Sequence, residues 1–377
     1  MADLNTLLRW AVENTPAPAA GEEAPSHDLG NGMTLKFKPA APGAQPSSNT
    51  ATLHANDPQF PHADLSPAST PGPATPAAGD APLPSGNKIS TEMLDLIMGK
   101  PDSLTMKEKM ATASDTSLDV ETRVEALDDF EMLVELIDNA NNMAVLKLWE
   151  PLIALYSDKH PEVVRHALWI TGTAVQNNLK AQAALFVHDA FPKIIDIIYP
   201  ATHEQATRAK AQYAMSSALK HWPLASAVLS ADGDKGYAVL RQGVADDSAV
   251  LRRKFAFLLG TLVMQAGENY EGEMPAEVRS LLEERAAAAG GKEENLVAAL
   301  KRTGVFASAL SALAKGSDDV EYEENAVRAL SRAAAAGGLT PDEKAQLKGI
   351  WDKWGAEGRE ERGLGGADGA EVEKDLA

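Results

Sequence analysis

The chain of 377 residues contains no cysteine. That excludes a disulfide framework, a thiolate zinc site and a cysteine nucleophile, and it is compatible with a reducing compartment. Aromatic residues are sparse at 5%, as in helix stacks dominated by Ala and Leu. Positive charge is scarce: 35 Lys and Arg stand against 54 Asp and Glu, a net charge of -19. Nucleic acid is therefore not an expected partner, because a phosphate backbone is bound by clustered cations. No apolar run reaches membrane-spanning length, so no membrane contact is expected. The first residues lack a basic stretch followed by an apolar one. No secretory signal is read there, and the expected compartment is the cytoplasm.

Catalytic constellations are missing as well. The eight histidines are scattered, and His160 and His166 fall on different faces of any helix. No set of ligands lies at metal spacing, and no Gly-rich loop follows a strand. Asp128 with Asp129 and Asp246 with Asp247 read as helix-surface or N-cap groups. Gly290 with Gly291 and Gly337 with Gly338 read as C-caps of Ala-rich helices. No enzyme, metal or cofactor is expected, although residues distant in sequence could still converge.

What the chain does have is a repeat. Val120, Val124, Leu127, Phe130, Leu133 and Ile137 make one apolar stripe at helical spacing. It ends in the polar stretch Asp138, Asn139, Ala140, Asn141, Asn142, read as a turn-prone stop. A second stripe, Val163, Val164, Ala167, Leu168, Ile170 and Val175, ends in Gln176, Asn177 and Asn178. The segment at 164–172 recurs at 208–216 and 252–260, each step being 44 residues. Ala167 matches Ala211, Trp169 matches Tyr213, and Gly172 matches Ser216 and Gly260. A weaker copy begins at Asn325. Steps of about 40–47 residues with two or three helices per unit mark armadillo or HEAT solenoids. The expected fold is all-α, a right-handed armadillo/HEAT-like solenoid.

The ends differ from the middle. Of 22 prolines, 14 lie in the first 88 residues. Residues 1–88 are expected to form a flexible arm, disordered over 16–88 because it cannot bury enough apolar surface to offset ordering entropy. Residues 34–38 alternate like a strand, but no pairing partner is evident. Leu4, Leu7, Leu8, Ala11 and Val12 make a peptide-like apolar island at 4–15, which reads either as a docked or frayed helix or as a recognition segment. The solenoid is expected over 89–355. Thr340, Pro341 and Glu343 form a capping box that starts its last helix, with Leu347, Ile350 and Trp354 inward. Residues 356–377, rich in Gly and acid, are expected to be a disordered tail.

Three stretches go beyond a generic solenoid: residues 130–142 (FEMLVELIDNANN), 146–152 (LKLWEPL) and 172–178 (GTAVQNN). They resemble the Fes/HspBP family of armadillo-type nucleotide exchange factors for heat-shock protein 70. Residues 7–15 (LLRWAVENT) and 104–110 (LTMKEKM) are similar to that family's first residues and first folded helix. The likeness spans roughly 1–15 and 90–265; the Pro-rich insertion, the loop near 267–274 and the tail depart from it. The resemblance implies a non-catalytic co-chaperone. Its solenoid grips one lobe of the chaperone's ATPase domain, opens the nucleotide cleft, and lets ADP and then the client go. It further implies that the arm, through Leu7, Leu8, Trp10 and Asn14, mimics a client in the chaperone's peptide-binding domain. A monomer is expected.

The residues expected to grip the partner are the polar unit ends and a rare basic cluster. They are Asp138, Asn139, Ala140, Asn141, Asn142, Gln176, Asn177, Asn178, Arg252, Arg253 and Lys254. Ala140 is a small residue in a run of Asn, where a partner could come close. The alternatives are ordinary helix-stop chemistry for the unit ends and a solvated face for the cations. A different armadillo adaptor or transport scaffold is the competing function. Transport-type solenoids repeat Trp and Asn regularly, whereas Trp169 and Asn177 stand almost alone here.

Overall fold

From Asp102 onward a row of long helices, laid side by side, organises the chain. The computed structural model describes residues 26–28, 34–36, 100–222, 225–266, 276, 279–280, 283–284 and 295–377. Contacts divide the chain into two units, Met1–Pro84 and Ser85–Ala377.

In the first unit β1 (Ser26–Asp28) and β2 (Thr34–Lys36) pair antiparallel, His27 opposite Leu35. Contrary to expectation, the strand-like stretch has a partner over Thr34–Lys36. The intervening sequence holds Gly30, Asn31 and Gly32, residues suited to hairpin turns; that signal was there to be read. The rest of the arm, with Leu7, Leu8, Trp10 and Asn14, lies outside the described residues. So do the helix read at 93–98 and the loop at 267–274.

The second unit opens with α1 (Asp102–Ser114) and α2 (Val120–Val134). Short α3 (Ile137–Val145) and α4 (Trp149–Ala154) lead to long α5 (Pro161–Val175). Short α6 (Leu179–Val187) and α7 (Ala190–Ile198) lead to long α8 (Gln205–Leu219). Then come α9 (Ala225–Gly243), broken at Ala231–Asp234, and long α10 (Ala249–Gln265). Short α11 (Leu296–Arg302) and α12 (Val305–Ala314) precede long α13 (Val320–Ala335). The chain ends in α14 (Pro341–Glu361), kinked at Gly355, and α15 (Gly366–Leu376). The long helices form a ladder: α2 packs on α5, α5 on α8, α8 on α10, α10 on α13, and α13 on α15. This is the all-α solenoid expected from the repeat. Among the described residues, no single helix is long and apolar enough to cross a membrane.

Local chemistry marks the ends of these helices, although the first stripe stops at Val134, ahead of the expected Asp138, and leaves Ile137 exposed at the start of α3. Asp119, Ser248 and Asp319 cap α2, α10 and α13, each side chain accepting a first-turn backbone N–H. Such caps contribute about 1 kcal/mol each. Pro161 occupies the first turn of α5 and Pro341 that of α14, where the Thr340–Glu343 capping box is complete. Gly337 follows α13 with φ +74°, and Gly338 N–H donates to Ala333 O at 2.7 Å, closing the helix as read. The apolar stripes meet in one core, with Phe130, Trp149, Leu168, Leu219, Phe255 and Leu330 fully buried. Each contributes about 1.5–3 kcal/mol by leaving water.

Two buried ion pairs stitch neighbouring units. Arg123 donates to Asp158 Oδ2 at 2.6 Å and to Ala113 O at 2.8 Å. Arg208 repeats the device, donating to Asp246 Oδ2 at 2.6 Å and to Ile198 O at 2.9 Å. Asp246 is therefore a buried link between units rather than a surface or N-cap group.

The tail expected at 356–377 to be disordered is instead the last rung of the ladder. Val372 and Leu376 are buried in α15, as is Leu364 just before it. Arg328 of α13 pairs with Asp368 at 3.0 Å, and Arg362 pairs with the buried Glu323 at 2.6 Å. Few apolar residues suffice here because they land on a ready-made helix face. The last long helix buries Leu347 and Trp351, while Ile350 and Trp354 are half-buried.

Candidate partner-binding face

The 44-residue step places equivalent side chains on successive ladder helices. Trp169 of α5, Tyr213 of α8 and Phe257 of α10 are in phase (169, 213, 257). His166, Lys210 and Lys254 are in phase one turn earlier (166, 210, 254). Residues three apart share a helix face, so each ladder helix offers one basic and one aromatic side chain on one side. None of the six is fully buried, and Phe257 is 61% exposed.

The row is cross-linked between units. The Lys210 ammonium sits 3.4 Å from the centre of the Trp169 ring, a cation–π contact from α8 back to α5. Tyr213 Oη donates to Gln176 Oε1 at 3.1 Å. His166 Nε2 lies 3.0 Å from Asp128 Oδ1. Thr173 donates to Glu131 Oε1 at 2.7 Å. Burial first, then the positive charges of Lys254 and Arg165, hold the Lys210 amine below its ordinary pKa, against the opposing pull of Glu131. The row is thus a local concentration of positive charge on a strongly acidic protein.

A groove of about 470 Å³ runs along this face. Gln176, Tyr213, Lys220, Arg253, Lys254, Phe257 and Asn325 are among its lining residues. Of the residues singled out in the sequence, the structure gathers Gln176, Arg253 and Lys254 here. The three cations of the basic cluster have separate roles. Arg252 donates to Asp246 O at 2.8 Å and lies 4.9 Å over the Tyr322 ring. Arg253 pairs with Glu321 at 2.9 Å. Lys254 has no carboxylate within ion-pair range among the described residues; it lines the groove together with Glu321, whose carboxylate is held by Arg253.

The other unit ends do not join the groove. Asn177 and His221 both take the left-handed backbone, φ +53° and +57°, and turn the chain after α5 and α8. Asn178 caps α6, its Oδ1 accepting from Ala181 N at 3.2 Å. This is the helix-stop reading of those residues. The stretch Asp138, Asn139, Ala140, Asn141, Asn142 is not a turn but the body of α3. Asn139 makes that helix tolerable by donating to Asp102 Oδ2 at 2.8 Å and to Leu133 O at 3.0 Å. Ala140 is 2% exposed and packed into the core. Asp138 and Asn142 are exposed, yet none of the five lines the groove. Phe257 and Lys210 escaped the sequence reading; carrying the 44-residue step from Trp169 and from Lys254 would have found both.

A side-by-side ladder of long helices repeating every 44 residues defines a helical-repeat protein of the armadillo type. A designed armadillo repeat protein in complex with the peptide (KR)4 superposes with a TM-score of 0.52 at 14% identity, covering 74% of this chain and all of that one. Two family models match: nucleotide exchange factor Fes1 over residues 4–143, and the SIL1/FES1/HPBP1 C-terminal domain over 139–336. The Hsp70 nucleotide exchange factor FES1 of Cryptococcus neoformans is 54% identical over 94% of this chain and 93% of its own. The Neurospora crassa protein of the same description is 31% identical over 66% of this chain and 91% of its own. The chain belongs to the Fes1 family of co-chaperone nucleotide exchange factors.

Proposed function

We propose that this protein binds the ATPase domain of heat-shock protein 70 with its ladder face and accelerates ADP release. ATP then enters and the client leaves. The observation that carries the reading is the groove face itself, with Lys254 in no ion pair among the described residues and Phe257 exposed beside Tyr213 and Gln176. It supplies what a protein interface needs, aromatic anchors flanked by charge. The likeness, over 94% of this chain, to a protein described as an Hsp70 nucleotide exchange factor supports the choice of partner. For exchange, the face must hold the open, nucleotide-free ATPase domain more tightly than the ADP-closed one. The N-terminal segment, with Leu7, Leu8, Trp10 and Asn14, acts beside it as a tethered client mimic that blocks rebinding; a weak peptide becomes effective once the solenoid has docked.

The test is release of labelled ADP from the isolated ATPase domain. The rate should rise with added protein and saturate. An unchanged rate at saturating protein would overturn the reading. Deleting residues 1–15 should leave that rate intact while slowing client release from the full chaperone.

A further inference from the structure

We infer that the aromatic and basic row reads an acidic α-helix on the partner, one that carries two carboxylates seven residues apart; the inference rests on the function proposed above and names what the face recognises. The charge class follows from the row. Lys210 and Lys254 occupy equivalent positions on adjacent ladder helices, and neither has an ion-pair carboxylate among the described residues. Lys210 is held instead by the Trp169 ring at 3.4 Å. Glu131 favours the Lys210 ammonium without pairing with it, and Lys254 opposes it. Two lysines without an ion-pair carboxylate, on neighbouring ladder helices of a chain of net charge -19, favour a binder that brings carboxylates to both.

The shape of the binder follows from spacing. Packed helices lie about 8–10 Å apart, which sets the step from one lysine to the next. A partner helix crossing the ladder rises 1.5 Å per residue, so positions seven apart are about 10 Å apart and face the same side. An extended strand covers about 10 Å in three residues, but positions three apart point to opposite faces. A strand can therefore serve one lysine or the other, whereas a helix serves both. Between the two carboxylates, an apolar residue at the fourth position reaches Tyr213 and Phe257, whose rings stand beside the lysines on α8 and α10.

Zero-length carbodiimide cross-linking of the full-length protein to the nucleotide-free ATPase domain tests this, with peptide mapping of the products. Lys210 and Lys254 should each join a carboxylate of one and the same partner helix, two turns apart. Links to carboxylates on separate elements, or a formed complex with no link at either lysine, would overturn the inference and leave the proposed function standing. Failure of the two proteins to form a complex would overturn both. As a second measurement, Lys210→Gln with Lys254→Gln should weaken binding about tenfold at low salt and flatten its salt dependence. Unchanged affinity and salt dependence in that variant would also overturn it.

Discussion

A β-carbon added at Gly172 would stand 2.3 Å from the Tyr213 ring, so the glycine of α5 is the seat of the aromatic side chain of α8. The packing core and the binding face share this contact, because the same Tyr213 donates to Gln176 in the groove. Gly172→Ala must push the ring out of its seat. Stability should fall by about 1–3 kcal/mol, the usual cost of overpacking. Thermal melting of the double-mutant cycle checks the cause: in a Tyr213→Ala background the same change should cost far less.

The Arg208–Asp246 link should be one of the two most sensitive ion pairs in the solenoid, with Arg123–Asp158. Asp246→Ala leaves the Arg208 guanidinium, 9% exposed, without its carboxylate. Breaking such a pair costs about 3–5 kcal/mol, to be read from urea unfolding. The pair also sets a pH dependence. Burial raises the Asp246 pKa, but hydrogen bonds from Tyr199, Ser248 N–H and Arg208, with the Arg208 charge, outweigh it and hold the carboxyl below its ordinary value. Asp158 is lowered in the same way, burial being outweighed by Arg123 and the His160 N–H. A lowered folded pKa means the stabilisation is complete above the unfolded value, about 3.9, and is lost as pH falls through the folded one. The wild type should therefore lose stability steeply in acid, and Asp246→Ala should show a shallower slope there.

The last rung is predicted to be ordered in solution. Amides of α15 should be protected from hydrogen exchange, as Val372 and Leu376 are buried. Truncation after Gly355 would remove Arg362 and strand the Glu323 carboxylate, 3% exposed, without its cation. A drop of several degrees in Tm is expected. Free exchange across 366–376 in the intact protein would show that the rung does not form.

Ala140→Arg should act as a stability mutation. Its side chain has no route to the groove, and an unpaired guanidinium in the core costs several kcal/mol. Lys254→Ala should behave oppositely, with near wild-type melting and weakened partner binding, since Lys254 makes no ion pair among the described residues. Far-ultraviolet circular dichroism beside a binding titration separates the two.

The ladder was legible because the 44-residue step, the apolar stripes and the caps all point to one structure. Ala167, Leu168, Ala211 and Phe255 are buried where the stripes put them. The site was legible only in part. Asn is a weak helix former, so the Asp138–Asn142 stretch read as a turn. The helix is tied by a hydrogen bond from Asn139 to Asp102, 37 residues away, which no local pattern contains. The tail misled for a related reason: Gly and acid predominate, and the few apolar residues fold on a neighbour distant in sequence. Arg252, Arg253 and Lys254 look alike in the chain, yet only their positions around α10 decide which charge is spent on a neighbour and which faces the groove.

The most direct test of the central claim uses linkage. An exchange factor must lose affinity for its partner when ADP binds, by the same factor by which it weakens ADP. Binding to the ATPase domain of heat-shock protein 70 should be measured by calorimetry without nucleotide and then with saturating ADP. The account predicts markedly weaker binding in ADP, with the ratio of the two constants equal to the loss of ADP affinity in the complex. Equal affinities with and without ADP would contradict it.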